Sequence, residues 1–167
     1  MKLLIVRHAI AVSRGTPWVE DDARELTEEG RAKMHEIALG LKTLKYLPEL
    51  ILSSPLPRAT QTAEIILEVC EDQVKIKITP SLAPGGERSD LYREIERYEK
   101  KLKSLMIVGH QPSLGEIAGE IAFGSPEHYI ELKKGGVCVV EWESAKGAPM
   151  GTMISLLTPS ILRRIVV

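Results

Sequence analysis

The feature that most limits the fold of this chain is a set of short, uninterrupted apolar runs separated by segments of helical periodicity. Leu3–Val6 and Leu105–Val108 are wholly apolar, the pattern of strands that are buried on both faces of a sheet. Further strands are predicted at Leu50–Leu52, Val74–Ile78, Val137–Val140 and Met153–Leu157. These runs favour a sheet that is covered by helices on both sides.

Segments with apolar residues at helical spacing separate these strands. Thr27 is placed to cap a helix that runs to about Leu44. Ser113 and Glu116 have the spacing of a capping box and open a helix through Ile121. Two more helices are predicted over Ala59–Cys70 and about Ser89–Leu102. The alternation predicts one α/β domain over residues 1–167, a three-layer α/β/α sandwich with a mostly parallel central sheet.

Composition excludes several classes of partner. The 167 residues carry a formal net charge of −1, so no excess of basic residues points to nucleic acid or to an acidic membrane surface. Arg7 interrupts the N-terminal apolar run Leu3–Val6, which is too short for a signal peptide or a membrane span. We therefore expect a cytoplasmic protein that binds neither nucleic acid nor membrane.

The cysteines and tryptophans suggest ordinary packing. Cys70 and Cys138 each lie in an apolar run and lack metal-ligand spacing, so buried free thiols are expected rather than a zinc site or a disulfide framework. Trp142 follows a strand and is expected to cover the core or a sheet edge. Trp18, in a polar segment, is expected to pack in the same ordinary way, with the rim of a pocket as the alternative.

Three of the predicted strands end in positively charged or imidazole side chains. In chain order, these residues are Arg7, His8, Arg58 and His110. Ligands of open α/β sheets bind just beyond the carboxyl ends of the strands. If the three strands are neighbours, two arginines and two histidines converge on one pocket.

Such a pocket suits a phosphate dianion, because the planar guanidinium matches phosphate oxygens and stays charged. Arg58 also lies near a predicted helix N-terminus, which favours an anion. A neutral imidazole can attack phosphorus if its other N–H is held by an acceptor, for which a backbone carbonyl near the strand end is suitable. Taken singly, each residue has an ordinary explanation as a solvated, capping or loop side chain, so the pattern favours phosphate chemistry without deciding it.

At these residues the sequence resembles the histidine phosphatase superfamily and, within it, the small SixA-type phosphohistidine phosphatases. The residues Leu4-Ile5-Val6-Arg7-His8-Ala9 resemble the superfamily's Arg-His-Gly signature, with Ala9 in place of glycine. Three further segments continue the resemblance: Asp22 to Gly30, Ser53 to Ala63, and Val108-Gly109-His110-Gln111-Pro112. The resemblance covers nearly the whole chain and implies a phosphoglycerate mutase-like fold.

The resemblance also implies roles for the four residues. His8 is the nucleophile that becomes phosphorylated, and Arg7, Arg58 and His110 bind the phosphoryl group and stabilise its transfer. It implies no metal ion and no organic cofactor. Larger relatives place a carboxylate after the third strand as general acid, and Glu87 and Asp90 are the candidates here. Both also have an ordinary explanation as loop and helix-start carboxylates.

Three functions remain open from the sequence. The first is hydrolysis of phosphohistidine on a partner protein, which needs little acid help because imidazole can leave already protonated. The second is hydrolysis of a small phosphomonoester by the same chemistry. The third is a module that binds a phosphorylated ligand without turnover. The sequence gives no indication of the oligomeric state.

Overall fold

The computed structural model describes residues 1–70, 74–145 and 148–165. Its strands are β1 (Lys2–Arg7), β2 (Leu50–Ser53), β3 (Lys75–Ile78), β4 (Ser104–Gly109), β5 (Val137–Ala145) and β6 (Ala148–Leu157). They form one sheet in the order β3-β2-β4-β1-β5-β6. The first four strands of that order are mutually parallel, β5 is antiparallel to β1, and β6 is antiparallel to β5.

Helices lie on both faces of the sheet, as the sequence predicts. They are α1 (Glu28–Thr43), α2 (Pro57–Leu67), α3 (Arg88–Glu99), α4 (Ser113–Phe123) and α5 (Pro159–Arg164), with short 3-10 turns at Asp21–Ala23 and Pro80–Leu82. Helices α1, α2 and α5 pack in one hydrophobic cluster, and α3 and α4 pack in another. The three-layer α/β/α prediction is confirmed.

The alternation of side chains along β1 explains why its sequence is apolar throughout. Leu4 and Val6 point into the cluster of α1, α2 and α5, whereas Leu3 and Ile5 point into the cluster of α3 and α4. All four are fully buried. A polar residue at any of these positions would lose its water on either face of the sheet, so the strand cannot show the alternation of a half-exposed one.

The start of α4 differs from the prediction. Ser113 is the first residue of the helix rather than its cap, and no side chain caps the helix at Pro112. The Gln111 side-chain oxygen instead accepts a hydrogen bond from the Gly115 N–H at 2.7 Å. The predicted capping box at Ser113 and Glu116 is wrong, because the helix begins at Ser113 and the Glu116 N–H, which a serine cap would bind, donates to the Pro112 carbonyl at 3.1 Å.

Helix α5 and the full length of the β5–β6 hairpin were beyond the sequence prediction. The six residues of α5 are too few to show a helical period. The Thr158 side chain nevertheless accepts a hydrogen bond from the Ile161 N–H, and Leu162 is fully buried. Helix α5 packs tightly on α1, since a Cβ on Gly40 would lie 2.2 Å from the Leu162 carbonyl oxygen.

A close backbone contact fixes α1 against the segment that follows β1. The Ile10 carbonyl accepts a hydrogen bond from the Thr27 N–H at 3.0 Å, and Thr27 caps α1 through the Gly30 N–H. A Cβ on Gly30 would lie 2.0 Å from the Ile10 carbonyl oxygen. Glycine is therefore required at this position, and the contact anchors the chain just beyond His8.

We expect Gly30→Ala to lower the free energy of unfolding by about 1–3 kcal/mol, because the added methyl group must displace the Ile10 backbone. Chemical denaturation of the two proteins measures this difference. The matched control is Ala32→Ser, at an exposed position of the same helix, where a change within about 0.5 kcal/mol is expected. Equal stability of Gly30→Ala and the wild-type protein would contradict the contact.

Candidate active site

Strand pairing brings the two histidines together. The parallel register of β1 and β4 places Arg7 beside Gly109, and the His8 N–H donates to the Gly109 carbonyl at 3.0 Å. Each histidine follows one of these paired positions, and their ring centroids lie 5.1 Å apart. The convergence that the sequence predicts for the ends of these two strands is present.

The two arginines lie at the same place. The positive charges of Arg7 and Arg58 both contribute to lowering the pKa of His8 and of His110. Arg58 belongs to the first turn of α2, which follows β2, and β2 is the other neighbour of β4. The structure therefore places all four predicted residues around one point at the carboxyl edge of the sheet.

His8 is held with one ring nitrogen available. Its Nδ1 lies 2.7 Å from the Ala9 carbonyl oxygen, and a carbonyl can only accept, so Nδ1 carries the proton. Burial is the main reason that the pKa of His8 is lowered to about 3 from its ordinary value of 6.5. The imidazole is therefore neutral at pH 7, with a lone pair on Nε2. The acceptor is a backbone carbonyl at the strand end, of the kind expected from the sequence.

Arg7 and Arg58 are each anchored by one backbone hydrogen bond. Nη1 of Arg7 donates to the Leu132 carbonyl at 2.7 Å, and Nη1 of Arg58 donates to the Asp21 carbonyl at 2.8 Å. Burial lowers the pKa of both guanidinium groups, and Arg58 is only 2% exposed. Each guanidinium is thus held through its Nη1 atom, and its other N–H groups remain available to bind a ligand.

Some of those donors are buried without a partner. In the described part of the chain, five buried side-chain nitrogen or oxygen atoms have no hydrogen-bond partner, and three of them are Nε of Arg7, Nε of Arg58 and Nδ1 of His110. Buried polar atoms without partners are rare in folded proteins. Their concentration here fits a site that binds an oxyanion.

Asp21 organises the loop beside Arg58, and sequence analysis missed it. Its carboxylate accepts from Nε of Arg14 at 2.8 Å and from Nε of Arg24 at 3.0 Å, and it lies 3.7 Å from Nη2 of Arg58. The hydrogen bond from Arg14 is the main reason that the pKa of Asp21 is lowered to about 2. Asp21 begins a 3-10 turn of three residues, which is too short to show a periodicity, so only its neighbour Asp22 is singled out from the sequence, through the family resemblance.

Thr62 and Lys134 also border the site without having been predicted. The Thr62 hydroxyl donates to the Arg58 carbonyl at 2.6 Å and accepts from the Ala9 N–H at 3.0 Å, so it joins α2 to the residue after His8. Lys134 adds a positive charge near Arg7 and Arg24, and burial followed by these two charges lowers its pKa.

Ser54 sets the orientation of His110. The Nε2 atom of His110 lies 2.8 Å from the Ser54 hydroxyl oxygen, which also accepts from the Leu56 N–H at 3.3 Å. His110 is neutral at pH 7, because burial and the charge of Arg58 lower its pKa to about 4. If the Ser54 hydroxyl donates to Nε2, the remaining proton of His110 lies on Nδ1. His110 then presents a donor to the site.

The two candidate general acids differ in position. Glu87 helps to line a cavity of about 460 Å³ that His110 also lines, whereas Asp90 is absent from its wall. The Asp90 carboxylate instead pairs with Arg93 in α3. Glu116, which sequence analysis did not propose, lines the cavity too and lies 3.6 Å from Nη1 of Arg88.

Two other features of the described residues concern ligands. A second cavity, of about 1030 Å³, lies at the opposite edge of the sheet and is bordered by Lys2, Lys45, Lys101 and Lys103 among others; none of the four site residues lines it.

No group of three or more His, Cys, Asp or Glu side chains in the described ranges is arranged to hold a metal ion. Within those ranges, no helix is both long and apolar enough to cross a bilayer.

Comparison with known sequences identifies similar proteins. The family model of the histidine phosphatase superfamily (branch 1) matches residues 3–89. An uncharacterized protein of Picosynechococcus is 41% identical over 138 residues, which cover 82% of each chain. The phosphohistidine phosphatase SixA of Escherichia coli is 26% identical over 74% of this chain and 76% of its own.

Solved structures share the fold. A structure of the protein histidine phosphatase SixA with tungstate aligns with 96% of this chain and 98% of its own, at a TM-score of 0.82 and 23% identity. The alpha-ribazole phosphatase of Shigella flexneri aligns with 95% of this chain and 97% of its own, at a TM-score of 0.66 and 16% identity. The phosphoglycerate mutase-like fold expected from the resemblance is confirmed.

We expect His8 to remain neutral, with its proton on Nδ1, from pH 8 down to pH 5, because its pKa is lowered to about 3. Two-bond ¹H–¹⁵N spectra of the imidazole measure the protonation of each nitrogen. The unfolded chain takes up a proton near pH 6.5, so the folded state loses stability as the pH falls from 6.5 towards 3. Titration of His8 with a midpoint near pH 6.5 would contradict this arrangement.

We expect Ser54→Ala to allow His110 to place its proton on Nε2, since Nε2 no longer receives the serine hydroxyl. The affinity for inorganic phosphate then falls about tenfold, the effect of one lost hydrogen bond to a charged group. Calorimetry measures the affinity and ¹⁵N shifts measure the tautomer. The matched control is Ser53→Ala, a neighbouring buried serine whose hydroxyl donates to the Ser54 carbonyl. Identical His110 shifts in the two variants would remove the role given to Ser54.

Proposed function

Because this chain belongs to the histidine phosphatase superfamily, we propose that it is a phosphatase that removes the phosphoryl group from phosphohistidine on a partner protein, with His8 as its nucleophile. The observation that carries the proposal is the hydrogen bond from Nδ1 of His8 to the Ala9 carbonyl at 2.7 Å. It leaves the Nε2 lone pair free beside a cluster of buried donors. A nucleophile and an anion site are thus present at one place.

The first step transfers the phosphoryl group to His8. The Nε2 lone pair attacks phosphorus in line with the bond to the substrate imidazole, a new N–P bond forms, and the old N–P bond breaks. Its electron pair leaves with the substrate nitrogen. If the other nitrogen of that ring already carries a proton, the leaving group is neutral imidazole and no protein acid is required. His8 becomes a cationic phosphoimidazole, with the Nδ1 proton still donated to Ala9.

The second step returns His8 to its starting state. Water attacks phosphorus on the side opposite Nε2, an O–P bond forms, and the N–P bond to His8 breaks. The electron pair returns to Nε2, while the water loses a proton to the departing phosphate or to solvent. The net reaction converts a phosphohistidine and water into histidine and inorganic phosphate.

Arg7, Arg58 and His110 have the same task in both steps. Phosphoryl transfer is accelerated mainly by holding the group in line and by neutralising the charge on its equatorial oxygens. The two guanidinium groups are fixed by Leu132 and Asp21, so they need little rearrangement to bind those oxygens. These charges support the proposal that catalysis is independent of metal ions.

One comparison and one chemical argument support phosphohistidine as the substrate over a small phosphomonoester. The relative at 26% identity is a phosphohistidine phosphatase, and the chemistry of an imidazole leaving group needs no general acid. The alpha-ribazole phosphatase fold and the position of Glu87 beside the cavity of His110 favour the alternative, in which Glu87 protonates an alkoxide. Asp90, which pairs with Arg93, is the weaker acid candidate. A binding module without turnover is the third possibility, and it predicts no phosphoenzyme.

We expect rapid mixing of the protein with phosphohistidine, followed by alkaline quenching, to trap an acid-labile phosphoryl group on the peptide that contains His8. His8→Ala should lower turnover at least about a thousandfold, as removal of a nucleophile does, while the protein still unfolds cooperatively. EDTA should leave the wild-type rate unchanged.

Retained turnover in His8→Ala, or a loss of activity in EDTA that added metal restores, would contradict the scheme. A panel that compares free phosphohistidine with small phosphomonoesters separates the two enzymatic alternatives. Phosphomonoester hydrolysis that depends on Glu87, without phosphohistidine hydrolysis, would favour the small-substrate alternative.

A further inference from the structure

Trp18 is the most exposed large apolar side chain among the described residues. Its exposed fraction is 102%, so it contacts essentially nothing in its own chain. A tryptophan is costly to leave in water, because its large apolar surface gains free energy when it is buried. The sequence expectation that Trp18 packs in the ordinary way is therefore wrong.

The backbone at Trp18 is also strained. Its φ is +65°, in the left-handed region that bulky residues rarely adopt because it costs free energy. No internal packing compensates for this cost. Strained residues cluster at functional sites and ligand-binding segments, so this loop is a candidate for contact with another molecule.

The loop that carries Trp18 is fastened to the active site. An ion pair between Arg14 and Asp21 closes the loop, and a Val19 N–H to Thr16 carbonyl hydrogen bond forms a turn around Trp18. Three residues along the chain, the Asp21 carbonyl holds Arg58. A chain of three residues spans at most about 11 Å, so the Cα of Trp18 lies within that distance of the Cα of Asp21.

We propose that Trp18 anchors the partner protein that presents its phosphohistidine to His8; this inference rests on the proposed function. A small substrate would be enclosed by a cavity wall, whereas the ring of Trp18 is fully exposed and encloses nothing. A protein that inserts a phosphohistidine must cover the surface around the site, and a standard interface of about 800 Å² per partner has a radius of roughly 16 Å. The loop that carries Trp18 borders this surface, because the carbonyl of Asp21, three residues further along, binds Arg58.

The partner is expected to present apolar side chains to Trp18 on the surface around its phosphohistidine. Tryptophan is enriched among the residues that dominate binding energy at protein interfaces, where it is fully desolvated against the partner. A helix places residues seven positions apart about 10 Å from one another on one face. A helical peptide with leucines on the same face as its phosphohistidine is therefore a suitable probe of the anchor.

The test uses two chemically phosphorylated helical peptides without tryptophan. One carries leucines three, four and seven residues from the phosphohistidine, and the other carries serines at those positions. In the His8→Ala protein, where transfer is blocked, the leucine peptide should shift Trp18 emission to shorter wavelength and protect it from acrylamide. The chain has two tryptophans, and the other, Trp142, is fully buried, so the change reports on Trp18.

Kinetics separate docking from catalysis. Trp18→Asn should raise KM for the leucine peptide about tenfold with kcat retained, while free phosphohistidine is hydrolysed as by the wild-type protein. Trp18→Phe should restore most of the affinity. Asparagine adopts the left-handed region readily, so the variant should fold at least as well. The matched control is Met150→Ser near the start of β6, where the methionine side chain is 52% exposed. This variant should leave the KM and kcat for both substrates unchanged.

Several results would overturn the anchor. The first is an equal KM for the leucine peptide in Trp18→Asn and the wild-type protein. The second is an equal affinity of the protein for the leucine and serine peptides. The third is an emission shift of Trp18 with mixed phosphatidylcholine and phosphatidylglycerol vesicles but not with the peptides, which would indicate membrane docking. Failure of the proposed function is distinguishable. It abolishes hydrolysis of free phosphohistidine as well as of peptides, whereas failure of the anchor leaves free phosphohistidine hydrolysis intact and removes only the Trp18-dependent preference.

Discussion

The site depends on the parallel register between β1 and β4. That register places Arg7 beside Gly109, and the ladder continues one residue further through the His8 N–H to the Gly109 carbonyl. A shift by one residue would turn the side chains of β1 to the opposite face and would separate the two imidazoles. The fully buried, double-sided packing of β1 prevents such a shift, because Leu3 and Leu4 occupy different hydrophobic clusters. The core of the fold thus fixes the geometry of the chemistry.

Much of the fold could be predicted because it depends on periodicity, which is a local property of the sequence. Buried strands and amphipathic helices were identified at their observed places, and strand ends located the four polar residues that the structure brings together. Helix α5 was missed because six residues carry too little pattern. The capping box at Ser113 is absent because the Glu116 N–H donates to the Pro112 carbonyl, while Gln111 binds the neighbouring Gly115 N–H. Several acceptors lie within reach of the first N–H groups of a helix, and residue spacing alone does not identify which of them bind.

The supporting residues of the site were harder to predict, because they act through contacts between distant segments. Asp21 joins three arginines, and Ser54 orients His110 across 56 positions of the chain. Neither residue type is unusual in a loop. The site is also a local exception to the charge of the whole chain, since arginines and Lys134 gather in a protein whose formal net charge is −1. The net charge of the chain is therefore a poor indicator of an anion-binding site. The clustering of positive charges around buried imidazoles is a much better one.

The two halves of the site are specified over very different lengths of sequence. Alignment of the His8 ring is encoded by adjacent residues, since Nδ1 is held by the carbonyl of Ala9. The guanidinium groups, in contrast, take their anchors from segments remote in the chain, at Leu132 and Asp21. Insertions or substitutions in the segments around Leu132 and Asp21 can alter which molecules reach the pocket, while the orientation of the His8 ring stays the same. Proteins of this fold could therefore gain new substrates through changes in their loops alone.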